Sequence, residues 1–265
     1  MIRAKKSLGQ NFLISPRVVD AISKAGKITP GETVIEIGPG KGVLTKALLQ
    51  TGARVVAVEK DNRLIPVLSR EFEKEIKDGR LMLIHEDILE MSAEKIREIS
   101  GKDFKVVANI PYYITGMLIR NFLSGESKPK LMILMVQKEV ATRIIARDGK
   151  ESILSLSVKA YATPELVMNV SRGNFFPIPN VDSAVIKLSE IKNPFKDKKE
   201  EEIFFKTLKA GFIQKRKKLI SNLGAVIPRE RLENMFVALT IDENMRAEDL
   251  KLEQWLQIFR LAELD

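Results

Sequence analysis

Asn109-Ile110-Pro111-Tyr112 follows directly on the apolar run 104–108. A run of that length reads as a buried strand, so the four residues stand where that strand ends and the chain turns. A carboxamide, a carbonyl whose direction the following proline restricts, and an aromatic ring can hold a planar amine beside an electrophile. An aromatic amine is a poor nucleophile because its lone pair is delocalised into the ring, so most of the rate must come from positioning. The Asn109 side-chain oxygen and the Ile110 carbonyl can accept the two amine hydrogens, favouring the pyramidal nitrogen that forms during attack on a sulfonium methyl group. Tyr112 can stack on the base carrying that amine, a contact worth roughly 1 to 3 kcal/mol. No general base is required, because the nitrogen's proton becomes acidic once the methyl group is gained. Out of context, a strand ending in an Asn-x-Pro turn with a packed tyrosine accounts for the same residues.

A second set of residues could hold the electrophile. Glu36-Ile37-Gly38-Pro39-Gly40-Lys41-Gly42 follows one predicted strand and opens a helix, the setting for a tight turn with close backbone approach to a ligand. Its G-x-G-x-G spacing puts the third glycine one residue short of the dinucleotide pattern, and the phosphate-loop spacing around Lys41 is absent. Glu59 ends the next strand, where a carboxylate can accept from both hydroxyls of a ribose. Asp87 follows the third strand and has two readings, an acceptor for an adenine amine or a helix N-cap ahead of Ile88 and Leu89. Gly38, Gly40, Glu59 and Asp87 at the carboxyl ends of successive strands argue together for a nucleoside-bearing cofactor. Farther on, Phe175-Phe176-Pro177-Ile178-Pro179 brings an aromatic pair that could cover the other face of the base, with Phe175 the preferred ring and core packing the competing role.

The elements that must position these groups are legible as alternation. β-Branched runs at 33–37, 54–58, 81–84, 105–108 and 131–136 alternate with amphipathic stretches at 43–50, 64–77, 93–99, 116–123 and 138–146, the mark of a parallel sheet covered by helices. Two later runs, 165–170 and 184–189, would complete a seven-stranded, mostly parallel sheet. After residue 193 strand signals cease, and apolar spacings such as Ile203, Phe204, Leu208, Phe212 predict a small all-α domain over 194–265.

Composition narrows the function classes. With 265 residues, 45% of them hydrophobic, the chain can bury a large core. No stretch reaches the roughly 20 apolar residues of a membrane span, and the N-terminus has no signal-peptide core, so the cytoplasm is the expected compartment. The absence of cysteine and the single histidine, His85, argue against a thiolate nucleophile, a serine–histidine triad or a metal site. Net charge is +9, and residues 1–30 hold six basic side chains, Arg3, Lys5 and Lys6 among them, against one acid. A basic arm of that kind suits a polyanion. Lys215-Arg216-Lys217-Lys218 places four cations in a row, expected on a helix, where they serve either phosphate contact or simple solvation. The surrounding region from Pro194 is nearly neutral, with 14 basic and 13 acidic residues, so any nucleic-acid role there rests on this local patch.

Five segments carry a family resemblance: Ser7-Leu8-Gly9-Gln10-Asn11-Phe12-Leu13, Glu36 to Gly40, Asn109 to Tyr112, Phe175 through Ala184, and Phe212-Ile213-Gln214 with the four cations. In this order they resemble the ribosomal RNA adenine dimethyltransferases of the small subunit, with the erythromycin-resistance methylases as cousins. The resemblance implies a Rossmann-like class I methyltransferase fold and S-adenosyl-L-methionine as donor. It puts Asn11 and Leu13 at the methionine end, Gly38 in the loop, Glu59 on the ribose, Asp87 on the adenine and Asn109 between cofactor and target, with Gly40, Lys60 and Ile88 among the cofactor-binding residues. It also implies two methyl transfers to N6 of each of two adjacent adenosines near the 3′ end of small-subunit rRNA, free or in a pre-30S particle; the chain is expected to act as a monomer without metal or membrane. Tyr113 and Ile213 depart from the family pattern, which favours asparagine at the first and Phe-Asn-Gln around the second. A large-subunit methylase and a non-catalytic RNA-binding assembly factor remain as alternatives.

Overall fold

The computed structural model describes residues 4, 5 and 8–263. Its central sheet has seven strands: β2 (Thr33–Ile37), β3 (Arg54–Glu59), β4 (Leu81–His85), β5 (Phe104–Asn109), β6 (Leu131–Gln137), β7 (Thr163–Val170) and β9 (Ser183–Ser189), in the order β4-β3-β2-β5-β6-β9-β7. β2 to β6 pair in parallel, and β9 runs antiparallel between β6 and β7. A separate two-stranded sheet joins β1 (Phe12–Leu13) to β8 (Phe175–Phe176), antiparallel, with Phe12 opposite Phe176 and Leu13 opposite Phe175. The chain leaves β2 toward β3 on one side, and β5 returns on the other. In an open α/β sheet that reversal creates a crevice at the carboxyl ends of the strands, where ligands bind.

The central strands are rich in Val, Ile and Leu because helices cover both faces, whereas the edge strands β4 and β7 carry exposed positions. Val34, Ile35, Val55, Val56, Val106, Val107, Met132 and Ile133 are all fully buried. The helices of this unit are α1 (Pro16–Ala25), α2 (Val43–Gln50), α3 (Ile65–Glu71), α4 (Glu73–Lys77), α5 (Ala93–Ser100), α6 (Thr115–Ser124) and the first part of α7 (Lys138–Ile145). Ser92 caps α5 by accepting from the Lys95 N–H, and Pro16 opens α1, whose Val18, Val19 and Ile22 face the core. The single helix expected over 64–77 is two helices that break at Phe72 (φ −114°, ψ 29°). The cause is long-range: the buried Phe72 ring turns onto the Cα of Gly42, where a Cβ would lie 2.5 Å from it.

The chain divides into two compact units, Met1–Ala141 with Ala162–Lys192, and Thr142–Tyr161 with Asn193–Asp265. The second unit thus takes in 142–161 as well as the residues from 193 on. Residues 142–161, with α8 (Ile153–Lys159), group with the C-terminal helices: Tyr161 packs edge-on against Phe195 and stacks on Phe205, and the Glu151 N–H donates to the Glu248 carbonyl at 2.8 Å. That second unit also holds α9 (Lys198–Gly211), α10 (Leu219–Leu223), α11 (Arg229–Ala238) and α12 (Leu252–Glu263). Asp197 caps α9 by accepting from the Glu200 N–H. Among the described residues no helix is long and apolar enough to cross a membrane.

Gly42 has φ +79°, so a side chain there meets both a left-handed backbone and the Phe72 ring. Gly42→Ala is expected to lower stability by about 2–4 kcal/mol in urea denaturation, from backbone strain plus overpacking. An unchanged midpoint would mean that the ring yields freely.

Candidate active site

One cavity of about 320 Å³ opens over the carboxyl ends of β2, β3, β4 and β5, at the lower end of the range that holds small-molecule ligands. Its walls come from the arm from Leu8 to Leu13, the glycine loop after β2, the ends of β3 and β4, the turn after β5, and Phe175. Of the residues expected to hold a cofactor, Asn11, Leu13, Gly38, Gly40, Glu59, Lys60, Asp87, Ile88 and Asn109 all line it. So do Ile110, Pro111, Tyr112 and Phe175 from the chemical set.

The glycine loop is shaped around Glu59. This carboxylate is buried; its Oε2 accepts from the Gly40 N–H at 3.1 Å and its Oε1 from the Asp61 N–H at 2.8 Å. Gly40, at φ +59°, also lets the Phe12 ring approach to where a Cβ would sit 3.1 Å away. Burial pushes the Glu59 carboxyl above its ordinary value, and the two N–H donors offset only part of that. Asp87 responds in the opposite direction. Burial raises its pKa, but the Lys60 ammonium at 2.5 Å and the Leu89 N–H at 3.0 Å outweigh it and hold the carboxyl below its usual range. Asp87 therefore closes a turn rather than capping a helix, and one of its oxygens faces a displaceable lysine.

Glu36 is the most anomalous group. It is 1% exposed, lines the cavity, and neither carboxyl oxygen has a hydrogen-bond partner. Burial, reinforced by the charge of Glu59, pushes its pKa up to about 8; Thr45, whose hydroxyl also lacks a well-formed bond, offsets only part. Sequence reasoning had placed Glu36 only within the glycine motif; an acid inside a strand of otherwise buried apolar residues was the available signal.

At the other end of the cavity, Asn109 closes β5 with a half-buried side chain that has no hydrogen-bond partner among the described residues. Ile110 is buried, Pro111 (φ −57°, ψ 135°) starts a tight turn whose carbonyl accepts from Ile114, and the Tyr112 hydroxyl meets Ser183 Oγ at 2.7 Å. Burial pushes the Tyr112 phenol upward, so it stays neutral. Ser183 was missed because its partner lies 71 residues away. Phe175 is 2% exposed and belongs to the core while its ring edges the cavity, so packing and lining are both its roles; Phe176 is 64% exposed.

The basic segment is not helical. Lys215, Arg216, Lys217 and Lys218 lie exposed in the turn between α9 and α10. The helix stops at Gly211, where a Cβ would sit 2.3 Å from the Trp255 ring, and Asn222 fixes the turn by donating to the carbonyls of Gly211 and Gln214. Four adjacent like charges also gain nothing from helical stacking. In the arm, Lys5 is exposed, whereas Arg3 and Lys6, with Ser7, lie outside the described residues.

Ligand-lining groups at the carboxyl ends of four neighbouring parallel strands, under a sheet closed by an antiparallel pair, define a Rossmann-like class I methyltransferase. The profile described as ribosomal RNA adenine dimethylase matches residues 1–264, and the chain belongs to that family. It is 42% identical to ribosomal RNA small subunit methyltransferase A of Dehalococcoides mccartyi strain CBDB1, over 97% of this chain and 88% of that one. It is 38% identical to the protein of the same name from Geobacillus sp. strain WCH70, over 95% and 89%. Among solved structures it resembles a dimethyladenosine transferase from Plasmodium falciparum (26% identity, TM-score 0.76, 93% of this chain and 95% of that one). The 23S rRNA methyltransferase ErmE shares the fold at 24% identity and a TM-score of 0.78, over 96% and 100%.

The Glu36 carboxyl keeps its proton to about pH 8 when folded and releases it near 4.5 when unfolded, so unfolding sheds a proton between those values. Stability of the free protein should therefore fall as pH rises from about 4.5 to about 8 and level off above. Glu36→Gln should flatten most of that decline in thermal melts, leaving the smaller slope due to Glu59. A pH profile parallel to that of the unaltered protein would contradict the assignment.

Proposed function

We propose that this protein transfers methyl groups from S-adenosyl-L-methionine to N6 of adenosines in small-subunit rRNA. Each of two adjacent adenosines near the 3′ end would be methylated twice, on a pre-30S particle in the cytoplasm. The observation that carries this reading is the sharing of one cavity by Glu59, Asp87 and the Asn109–Tyr112 turn. The residues fit the donor. Glu36 offers two orphaned buried oxygens, Glu59 stands where ribose hydroxyls can donate to it, and a Cβ at Gly38 would project toward the Asn109 carbonyl, 3.8 Å away. Asn11 and Leu13 would hold the methionine end, Gly38 and Gly40 the backbone turn, Lys60 and Ile88 the nucleoside with Glu59 and Asp87.

The bound donor supplies a methyl group on a cationic sulfur that leaves as a neutral thioether. This chain's own residues do the rest by orientation. Asn109 Oδ1 and the Ile110 carbonyl accept the two N6 hydrogens, which turns the nitrogen lone pair toward the methyl group. Tyr112, held by Ser183, presents its ring to the base. As the C–N bond forms, the proton on N6 becomes acidic and departs to solvent; a second cycle replaces the remaining hydrogen. Exposed Lys5 and the exposed cations of residues 215–218 meet phosphates, which makes affinity salt-dependent. A small-subunit target is favoured over a large-subunit one because relatives named for the small subunit are 38–42% identical, against 24% for the 23S enzyme.

Asn109→Ala should reduce methyl transfer at least about a thousandfold while leaving cofactor affinity within about fivefold, since the loss falls on orientation. Radiolabelled transfer and calorimetric titration of S-adenosylhomocysteine separate the two effects. Near-normal turnover by that variant would sink the mechanism.

A further inference from the structure

The N-terminal arm is secured from two sides. Downstream, β1 pairs with β8, and the Ile14 N–H donates to the Asn174 carbonyl at 2.9 Å. Upstream of β1, one hydrogen bond reaches a residue distant in sequence among the described residues: Gln10 Nε2 donates to Asp61 Oδ2 at 2.8 Å. The Gln10 amide is fully committed, since its Oε1 accepts from the Lys5 N–H at 2.8 Å and so closes the arm into a loop. Asp61 is 3% exposed and is held by Arg63, whose Nε and Nη2 reach its two oxygens at 2.9 and 2.6 Å. The Arg63 bonds, with Gln10's, hold the Asp61 carboxyl far below the ordinary range, so Gln10 meets a permanent, largely desolvated anion. Hydrogen bonds to such acceptors are roughly twice as strong as neutral ones. The Asp61 N–H in turn donates to Glu59, which ties the arm's anchor to the carboxylate at the base of the cavity.

We propose that the Gln10–Asp61 hydrogen bond is a latch holding the arm over the cofactor end of the cavity, which makes both residues positioning residues for methyl transfer. The proposal rests on reading the cavity as the S-adenosylmethionine site. The arm supplies Gln10, Asn11, Phe12 and Leu13 to the cavity wall, so lifting it would open that side of the cavity to a departing ligand. Because β1 is fixed by its strand partner, lifting means parting Gln10 from Asp61. Demethylated cofactor must depart after every transfer, so the latch opens once per methyl group.

The test uses the full chain and S-adenosylhomocysteine, with release followed by stopped-flow displacement. Gln10→Ala should release it about tenfold faster, with association nearly unchanged. Gln10→Glu should release faster still, because its carboxylate would face that of Asp61. Adding Asp61→Asn to Gln10→Glu should slow release again by restoring a donor–acceptor pair, a recovery that a merely structural role for Gln10 would not produce. Release from Gln10→Ala within about twofold of the unaltered protein, alongside weakened binding in Glu59→Ala, would overturn the latch and leave the cavity assignment standing. Unaltered binding in Glu59→Ala would overturn the cavity assignment and the latch together.

Discussion

A carboxylate that water hardly reaches, that of Glu59, ties the site together. Its two oxygens are taken by the N–H groups of Gly40 and Asp61, so one side chain at the end of β3 fixes the glycine loop of β2 and the turn that anchors the arm. Burial makes the charged form costly, which is why the carboxyl is pushed upward despite two donors. A ligand with two hydroxyls in reach would relieve that penalty. The same logic covers Glu36, whose oxygens are left without donors inside the fold. Stability is surrendered at the spot where a ligand would restore it, as expected where strain and unsatisfied polarity serve a site.

The acceptor end follows a different rule. Under the proposed function Asn109, Ile110 and Tyr112 need no unusual protonation state, because the chemistry would ask them only to orient an amine. What they need is rigidity. β5 lies between β2 and β6, Pro111 restricts the turn, and Ser183 on β9 holds the Tyr112 hydroxyl. The antiparallel strand at that end of the sheet thus reaches back to brace the parallel core's chemical turn.

Much of the first unit could be read from the chain because its signals are local. β2 matches the expected Thr-Val-Ile-Glu-Ile run at 33–37, and β3 runs one residue past the expected 58, to the buried Glu59. Features made by distant partners were not legible. Phe72 breaks a helix because of Gly42, thirty residues earlier, and the two-residue strands β1 and β8 exist only through each other. Lys215 to Lys218 read as a helix face until Gly211, pinned under Trp255, ended the helix before them. In the site, motif residues could be identified one by one, but Asp61, Ser183 and the latch from Gln10 are contacts across 51 to 71 residues that no spacing encodes.

The central claim is that adenosine N6 is the group oriented at Asn109. Incubating the protein with S-adenosylmethionine and small ribosomal subunits lacking the modification, then mapping modified nucleotides by mass spectrometry, tests it most directly. The account predicts N6,N6-dimethyladenosine at two adjacent positions near the 3′ end of the small-subunit rRNA. Methylation confined to large-subunit rRNA, or subunits bound but left unmodified, would contradict it.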